Sequence, residues 1–148
     1  VTSIGNNAFY ECSSLTSITI PEGVTSIGSS AFYGCSSLTS IIIPEGTTEI
    51  SNYAFDDCGT LESIVIPESV TEIGYAAFFR CSSLKSITIP ESVTKIGEAA
   101  FVGCSSLESI VVAEGNPVYD SREGCNAILE TKTNILCYGC KSTIFPSL

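Results

Sequence analysis

The amino-acid sequence predicts a right-handed solenoid of 23-residue coils, with a parallel β-sheet on one face and short second strands and helical or 3-10 turns on the other. Three observations predict this fold class. One pattern of 23 residues occurs five times without a gap over residues 1–115. Each copy contains a short stretch in which every second residue is aliphatic, as in a half-buried strand. Each copy is also too small to bury its own apolar faces, so neighbouring copies must cover one another.

The repeated pattern reads V-T-x-I-G-x-x-A-F-x-x-C-S-S-L-x-S-I-x-I-P-E-G/S, and we number its copies coil 1 to coil 5. Stacking places equal positions of successive coils about 4.8 Å apart, so identical side chains form ladders along the solenoid. The coils begin at Val1, Val24, Thr47, Val70 and Val93. Two expected ladders are Phe9, Phe32, Phe55, Phe78, Phe101 and Leu15, Leu38, Leu61, Leu84, Leu107.

Coil 2 shows the expected elements in chain order. Val24 and Ile27 predict a short extended piece that ends at a glycine. Residues 29–35 predict one helical or 3-10 turn, which points a phenylalanine inward. The alternation over residues 40–43 predicts the main strand. Pro44 ends this strand because proline has no N–H for the ladder, and the following Glu-Gly is typical of a turn.

Composition and charge exclude several classes of protein. Apolar residues make up 44% of the chain and charged residues 15%, which excludes a disordered, purely solvating segment. No apolar run approaches the roughly 20 residues of a membrane helix, so we expect no membrane insertion. The net charge of −10, with only six scattered Lys and Arg, argues against a nucleic-acid partner. The chain has no His, which removes the commonest general base and metal ligand.

The remaining candidates for chemistry predict no catalytic, cofactor or metal site. A serine–lysine pair would have to use Lys85 or Lys95, and both occupy variable, outward repeat positions. Asp56 and Asp57 are neighbours in coil 3 and are expected on a solvated turn, where adjacent carboxylates rarely converge on one substrate. An enzyme acting on polysaccharide would need carboxylates that converge in a cleft. The remaining acids form a periodic row on the turns that follow the main strands: Glu22, Glu45, Glu68, Glu91 and Glu114.

The eight cysteines fall into two groups. Cys137 and Cys140 form a lone C-x-x-C without the further ligands that zinc needs. The favoured interpretation is that Cys125 and Cys140 are free thiols, and a disulfide between them is the alternative. The other group recurs at one coil position and predicts a buried ladder of small apolar thiols. Its members are Cys12, Cys35, Cys58, Cys81 and Cys104.

In all five coils the pattern L-x-x-I-x-I-P-x-x-V-x-x-I-G-x-x-A-F-x-x-C resembles the BspA-like leucine-rich repeat, also called the Treponema pallidum type. The resemblance implies a leucine-rich-repeat solenoid, a function in adhesion or protein binding, a cell-surface or secreted location, and no shared catalytic residues. Residues 116–122 and 124–131 resemble a longer variant unit of such proteins. Coil 3 departs from the pattern at Thr47, Ser51 and Gly59.

Residues 116–148 are expected to form this variant long repeat and the start of a further coil, in one domain with the five coils of residues 1–115. The stretches 127–130 and 134–137 flank a polar tripeptide and predict a β-hairpin. Residues 141–146 resemble the end of a main strand, which suggests a fragment of a longer array. Coil 1 begins without a polar cap, and such an uncovered sheet edge favours end-to-end self-association.

By elimination, the outward side chains of the main strands are the candidate partner-binding surface, which we call the main-strand face. Ile42, Val65 and Val111 are apolar where solvent is expected, which indicates a contact zone. The face comprises Ser17, Thr19, Ser40, Ile42, Ser63, Val65, Ser86, Thr88, Ser109 and Val111. Aromatic residues on the turn side are the alternative: Tyr10, Tyr33, Tyr53 and Phe79.

The sequence therefore predicts a non-catalytic module that binds proteins or glycans of host or neighbouring cells. A passive structural spacer or surface-layer element is the alternative, and a β-helix enzyme acting on polysaccharide is a distant one. Glutamate at positions 42 and 65 distinguishes the first two, because it would disturb a binding surface and leave a spacer unaffected.

Overall fold

The computed structural model of the chain describes residues 1–146, in which five coils stack around one continuous hydrophobic core. Short strands recur in every coil and main strands in coils 2 to 5, at positions 23 residues apart, and they pair in parallel, which confirms the predicted solenoid. The strands are β1 (Ser3–Ile4), β2 (Ser26–Ile27), β3 (Ser40–Ile42), β4 (Glu49–Ile50), β5 (Ser63–Val65), β6 (Glu72–Ile73), β7 (Ser86–Ile89), β8 (Lys95–Ile96), β9 (Ser109–Val112), β10 (Tyr119–Asp120), β11 (Ala127–Glu130) and β12 (Ile135–Gly139), with a 3-10 helix at Arg122–Gly124.

Parallel pairing is most continuous on the short strands. β1, β2, β4, β6 and β8 form one five-stranded sheet along the solenoid. The main strands instead form two separate pairs, β3 with β5 and β7 with β9. In coil 1, residues 17–20 belong to no strand. The structure thus differs from the expected arrangement in that its longest sheet lies on the short strands.

A glycine after four of the five short strands explains why the coils approach most closely there. Gly74 donates its N–H to the carbonyl of Ile50 at 2.7 Å. A β-carbon on Gly74 would lie 2.6 Å from the backbone nitrogen of Asn52, and β-carbons on Gly28 and Gly97 would collide equally with the preceding coil. No side chain fits at such a distance, so glycine is required for this contact between coils.

Coil 3 carries Ser51 at this position, and its contact with coil 2 is correspondingly looser. The Thr48 N–H lies 3.4 Å from the carbonyl oxygen of Thr25, whereas the same bond one coil later measures 2.9 Å. Between β2 and β4, Ile27 and Ile50 are the one residue pair in register. The β-carbon of serine therefore weakens the junction between coils 2 and 3.

We expect Gly74→Ala to lower the free energy of unfolding by about 2–3 kcal/mol, because the added methyl group forces coils 3 and 4 apart. The reverse change in coil 3, Ser51→Gly, is expected to raise it by about 1 kcal/mol by allowing closer contact with coil 2. Urea denaturation followed by circular dichroism measures both. Gly46→Ala is the control, since a β-carbon there meets no atom closer than 3.6 Å. Equal losses for Gly74→Ala and Gly46→Ala would contradict the explanation.

The turn segments differ from the helical or 3-10 turn expected over residues 29–35. They are consecutive turns in which one N–H binds a carbonyl of its own coil and the next binds the following coil, as Phe32 does with Ala54 at 2.9 Å. The turn segment of each coil also places two residues in the left-handed region, and these include Ala76 (φ 52°) and Arg80 (φ 56°). Pairing with the next coil at alternate residues leaves no continuous helical hydrogen-bond pattern.

Parallel phenylalanine rings form the centre of the core, which confirms the predicted ladder. Ring centroids of successive coils lie 5.1–5.5 Å apart, and the ring planes agree within 5°. Phe32, Phe55 and Phe78 have no exposed surface. Leu38, Leu61, Leu84 and Leu107 of the leucine ladder are buried beside them.

The variant unit contains the predicted hairpin. β11 and β12 pair antiparallel, with Ala127 opposite Gly139 and Glu130 opposite Ile135, and β10 pairs with the other edge of β11. After the hairpin the chain returns to coil 5, where the Lys141 N–H donates to a carbonyl of that coil at 3.3 Å. The predicted start of a further coil forms no strand over residues 141–146, and residues 147–148 lie outside the described part.

Two tyrosines of the variant unit contact the last coil where a sixth regular coil would otherwise pair. The ring of Tyr138 meets that of Phe101 edge-on, with centroids 5.4 Å apart. Its hydroxyl donates to the carbonyl of Gly97 at 2.5 Å and accepts the Ala100 N–H at 3.2 Å. The Tyr119 hydroxyl accepts the N–H of the last residue of β8 at 3.1 Å. The two hydroxyls thus attach the variant unit to backbone groups of coil 5, where the Ala100 N–H also binds the Gly97 carbonyl of its own coil at 3.3 Å.

Candidate interaction surface

The main strands alternate between core and solvent, and this alternation creates the main-strand face. In β5 and the residue after it, Ile64 and Ile66 are buried while Ser63 and Val65 are exposed. The structure places the ten residues of the face on one side of the solenoid, nine of them exposed and Ser109 half-buried. The period of two residues therefore assigns each side chain to its side of the strand.

An aliphatic pair stands out on this face. Ile42 is 78% exposed and Val65 75%, and the two lie opposite each other in the register of β3 and β5. Directly opposed side chains of neighbouring strands are in contact range, so these two form one patch. Val111 is 44% exposed and lies opposite Thr88 in the other strand pair.

A cleft separates the two strand pairs. Within residues 1–146, β5 and β7 share no ladder, although they are main strands of successive coils. A cavity of about 360 Å³ lies along this gap, with Val65, Glu68 and Thr88 among its lining residues. The aliphatic patch therefore borders a depression.

Both flanks of the main-strand face carry charged side chains, which form an ion pair on one flank and none on the other within residues 1–146. On one flank, Lys85 Nζ lies 2.7 Å from Glu62 Oε2, and this hydrogen bond lowers the pKa of Glu62 and raises that of Lys85. Such an exposed pair contributes little to stability. On the other flank runs the exposed glutamate row of the Pro-Glu turns. In the described part of the chain, ion pairs involve Glu62, Glu72 and Asp120 and none of the glutamates in this row.

The aromatic residues of the turn side cover one another. Tyr10 and Tyr33 stack with ring centroids 4.8 Å apart, and Tyr53 meets Tyr75 edge-on at 5.3 Å. The guanidinium of Arg80 lies 5.0 Å above the Phe79 ring. Because these contacts occupy ring faces, the turn side offers a partner less aromatic surface than the sequence indicates. Tyr75 was absent from the predicted set, although its place beside the Ala-Phe position of coil 4 would have revealed it.

Asp56 is buried, and the expectation that it lies on a solvated turn was wrong. It is 7% exposed and occupies the coil position held by Tyr33 and Phe79 in the flanking coils, so larger side chains flank it. Burial raises the pKa of Asp56 to about 6, the charge of Asp57 adds to the rise, and Arg80 opposes it. The aromatic row in neighbouring coils was the signal in the sequence that indicated a covered position.

The cysteine ladder is buried in coils 2 to 4 and half-buried at its two ends, Cys12 and Cys104. The thiols of coils 2 to 5 donate S–H to the carbonyl of a ladder phenylalanine in the preceding coil at 3.1–3.2 Å. Burial raises the pKa of Cys35 to about 11 and that of Cys104 to about 12. All eight cysteines are free in the structure, Cys125 and Cys140 included. At neutral pH the ladder thiols of coils 2 to 5 are therefore packing groups and not nucleophiles.

The other chemical candidates are also separated in space. Lys85 and Lys95, which a serine–lysine pair would need, are exposed and paired with glutamates at 2.7 and 2.6 Å. Among residues 1–146 no three Cys, Asp or Glu side chains are grouped so as to share one metal ion. No helix in this part of the chain has the length and apolar character needed to cross a membrane.

Several solved structures are similar to this chain. A leucine-rich-repeat protein of T. pallidum is 41% identical, with a TM-score of 0.73 over 74% of this chain and 51% of its own. One from Bacteroides ovatus is 39% identical, with a TM-score of 0.71 over 78% of this chain and 33% of its own. A leucine-rich cell surface protein of Faecalibacterium prausnitzii is 34% identical, with a TM-score of 0.69 over 90% of this chain and 41% of its own.

The chain thus spans about half or less of the length of these solved relatives. Among curated proteins, no significant match is found. The family profile described as the BspA type leucine rich repeat region matches six times over residues 2–122. Since that match includes all five coils and extends into the variant unit, the chain belongs to the BspA-type leucine-rich-repeat family.

Proposed function

We propose that this chain is a non-catalytic protein-binding module of a cell-surface or secreted protein, and that its main-strand face contacts the partner. The observation that carries the proposal is the aliphatic patch of Ile42 and Val65, each about three-quarters exposed on adjacent strands. Adhesion to proteins or glycans of host or neighbouring cells is the proposed role. The proposed location is supported by the F. prausnitzii relative, which is described as a cell surface protein.

The local architecture suits contact with a partner. Ile42 and Val65 project from paired strands, so their backbone is already ordered and little conformational entropy is lost on binding. The neighbouring residues Ser40, Ser63 and Ser86 are small, so a partner can approach the backbone between them. Burying the aliphatic pair would contribute about 25 cal/mol for each Å² of apolar surface removed from water.

The double variant Ile42→Glu/Val65→Glu tests the proposal. We expect at least a tenfold loss of affinity, since two charges would be buried against an apolar contact without a partner. The measurement is surface plasmon resonance of the immobilised protein against a panel of purified extracellular-matrix and mucosal proteins. Circular dichroism first shows that the unmodified chain and the double variant are both folded.

A charge-matched control separates a local effect from a general one. Thr2→Glu/Thr48→Glu adds the same two charges at exposed positions outside the main-strand face, and it should bind as the unmodified chain does. Loss of binding in both double variants would contradict a role for the face. Absence of binding to every panel member, with the protein folded, would favour the spacer alternative.

A further inference from the structure

The cavity beside the aliphatic patch adjoins a second cavity. The first, of about 360 Å³, lies between β5 and β7 and includes Val65 and Glu68 in its lining. The second, of about 500 Å³, lies on the Pro-Glu turns and is lined by Glu68, Glu91, Ser92, Thr94, Gly115 and Pro117. Because Glu68 borders both, the two cavities lie next to each other between the main-strand face and the glutamate row.

The second cavity has unmatched acidic character. Glu68 and Glu91 hold the same place in successive coils, and both line the second cavity. Both are exposed, and neither belongs to an ion pair in the part of the chain that the structure describes. Elsewhere, on coils 3 to 5, the exposed Glu62 and the half-buried Glu72 are neutralised by lysines of the next coil. The unpaired carboxylates therefore attract a positive group from outside the chain.

A buried hydroxyl gives an independent indication of a ligand. Ser92 Oγ is enclosed and has no hydrogen-bond partner within residues 1–146, although Ser92 lines the second cavity. At the equivalent place one coil earlier, Ser69 Oγ donates to the carbonyl of Thr47 at 2.6 Å. A buried hydroxyl without a partner is unfavourable unless another molecule supplies one.

We infer that the two cavities bind an extended protein segment that carries an aliphatic side chain and a lysine or arginine close together. The aliphatic side chain packs against Val65 in the first cavity, and the cationic group lies between Glu68 and Glu91 in the second. Val65 and Glu68 are three residues apart, which is at most about 10 Å of extended chain, so the two side chains of the partner are one to three residues apart. This inference rests on the proposed function and specifies the chemistry of the partner.

The probe is a library of random heptapeptides displayed on phage and selected against the immobilised protein. The enriched sequences are expected to carry Lys or Arg within three positions of an aliphatic residue. A synthetic peptide of the leading sequence is then titrated against variants. Glu68→Gln/Glu91→Gln should weaken its binding about 5- to 10-fold, the loss typical of two exposed charge pairs. Glu22→Gln/Glu45→Gln removes the same charge from the same row and should change binding less than twofold.

Two results would overturn the inference. One is a selected peptide that binds the Glu68→Gln/Glu91→Gln variant unchanged, and the other is a selection that enriches no aliphatic–basic pair. The proposed function is judged separately, from the effect of Ile42→Glu/Val65→Glu on whole matrix and mucosal proteins. If binding of those proteins requires Ile42 and Val65 but not Glu68 and Glu91, the main-strand face is supported as the binding surface, and the inference of a cationic partner is contradicted.

Discussion

Replacing Phe55 by alanine is expected to lower the free energy of unfolding by about 4 kcal/mol, the largest effect of any substitution considered. Phe55 has no exposed surface and stacks on Phe32 at 5.4 Å and on Phe78 at 5.5 Å. Its removal leaves a cavity in the middle of the ladder and breaks two ring contacts at once. Because each coil contacts only its neighbours, this cavity also weakens the coupling between both halves of the solenoid. Urea denaturation followed by circular dichroism measures the loss.

Two variants show which part of the ring matters. Phe55→Leu retains most of the apolar volume and loses the flat stack, so we expect a loss of about 1–2 kcal/mol. Phe9→Ala removes the half-buried first ring of the ladder, with one stacked neighbour, and should cost about half as much as Phe55→Ala. Equal losses at Phe9 and Phe55 would show that position in the ladder does not govern stability.

The buried carboxylate of Asp56 is expected to make the protein more stable in mild acid than at neutral pH. Burial raises its pKa to about 6, above the value of about 3.9 for an unfolded chain. Below pH 4 the carboxyl is protonated in both the folded and the unfolded state, so its burial does not lower the free energy of unfolding. Above pH 6 it is charged in both states, and the folded state bears the cost of the buried charge. This group should therefore lower the free energy of unfolding by about 2–3 kcal/mol as pH rises from 4 to 7.

Asp56→Asn removes the buried charge while keeping the shape of the side chain. At pH 7.5 we expect it to raise the free energy of unfolding by about 2 kcal/mol, and the difference from the unmodified chain should vanish near pH 4. The measurement is urea denaturation at a series of pH values. Asp57→Asn is the control, since Asp57 is exposed and its variant should keep most of the pH dependence. A difference between Asp56→Asn and the unmodified chain that is constant with pH would contradict the assignment.

The main-strand face shows which features of the surface the repeat pattern predicts and which it does not. Period-two spacing assigned Ile42 and Val65 to the outward side of their strands, and both are exposed. The spacing alone did not reveal that β5 and β7 remain unpaired, because both strands carry the same S-I-x-I pattern as those that do pair. It also did not reveal that Glu68 borders two cavities, since cavity shape depends on how neighbouring coils tilt and pack.

Asp56 and the variant unit show where inference from local sequence fails. The pair Asp56-Asp57 has the local composition of a surface turn, yet its burial is decided by side chains 23 residues away in each direction. Likewise, nothing near Tyr138 in the sequence indicates that its hydroxyl bonds to Gly97 and Ala100 of coil 5. Contacts between distant positions are read from a sequence only where a repeat makes them periodic.

The sequence by itself determined the 23-residue coil, the parallel stacking, the phenylalanine and cysteine ladders and the hairpin of the variant unit. These features follow from periodic burial, which leaves the same signature in every copy. The tertiary structure alone decided which strands pair continuously, how Ser51 loosens one junction, and that Asp56 is buried. The reason is that each of these depends on sub-ångström fits between neighbouring coils, where one β-carbon or one missing ring changes the contact.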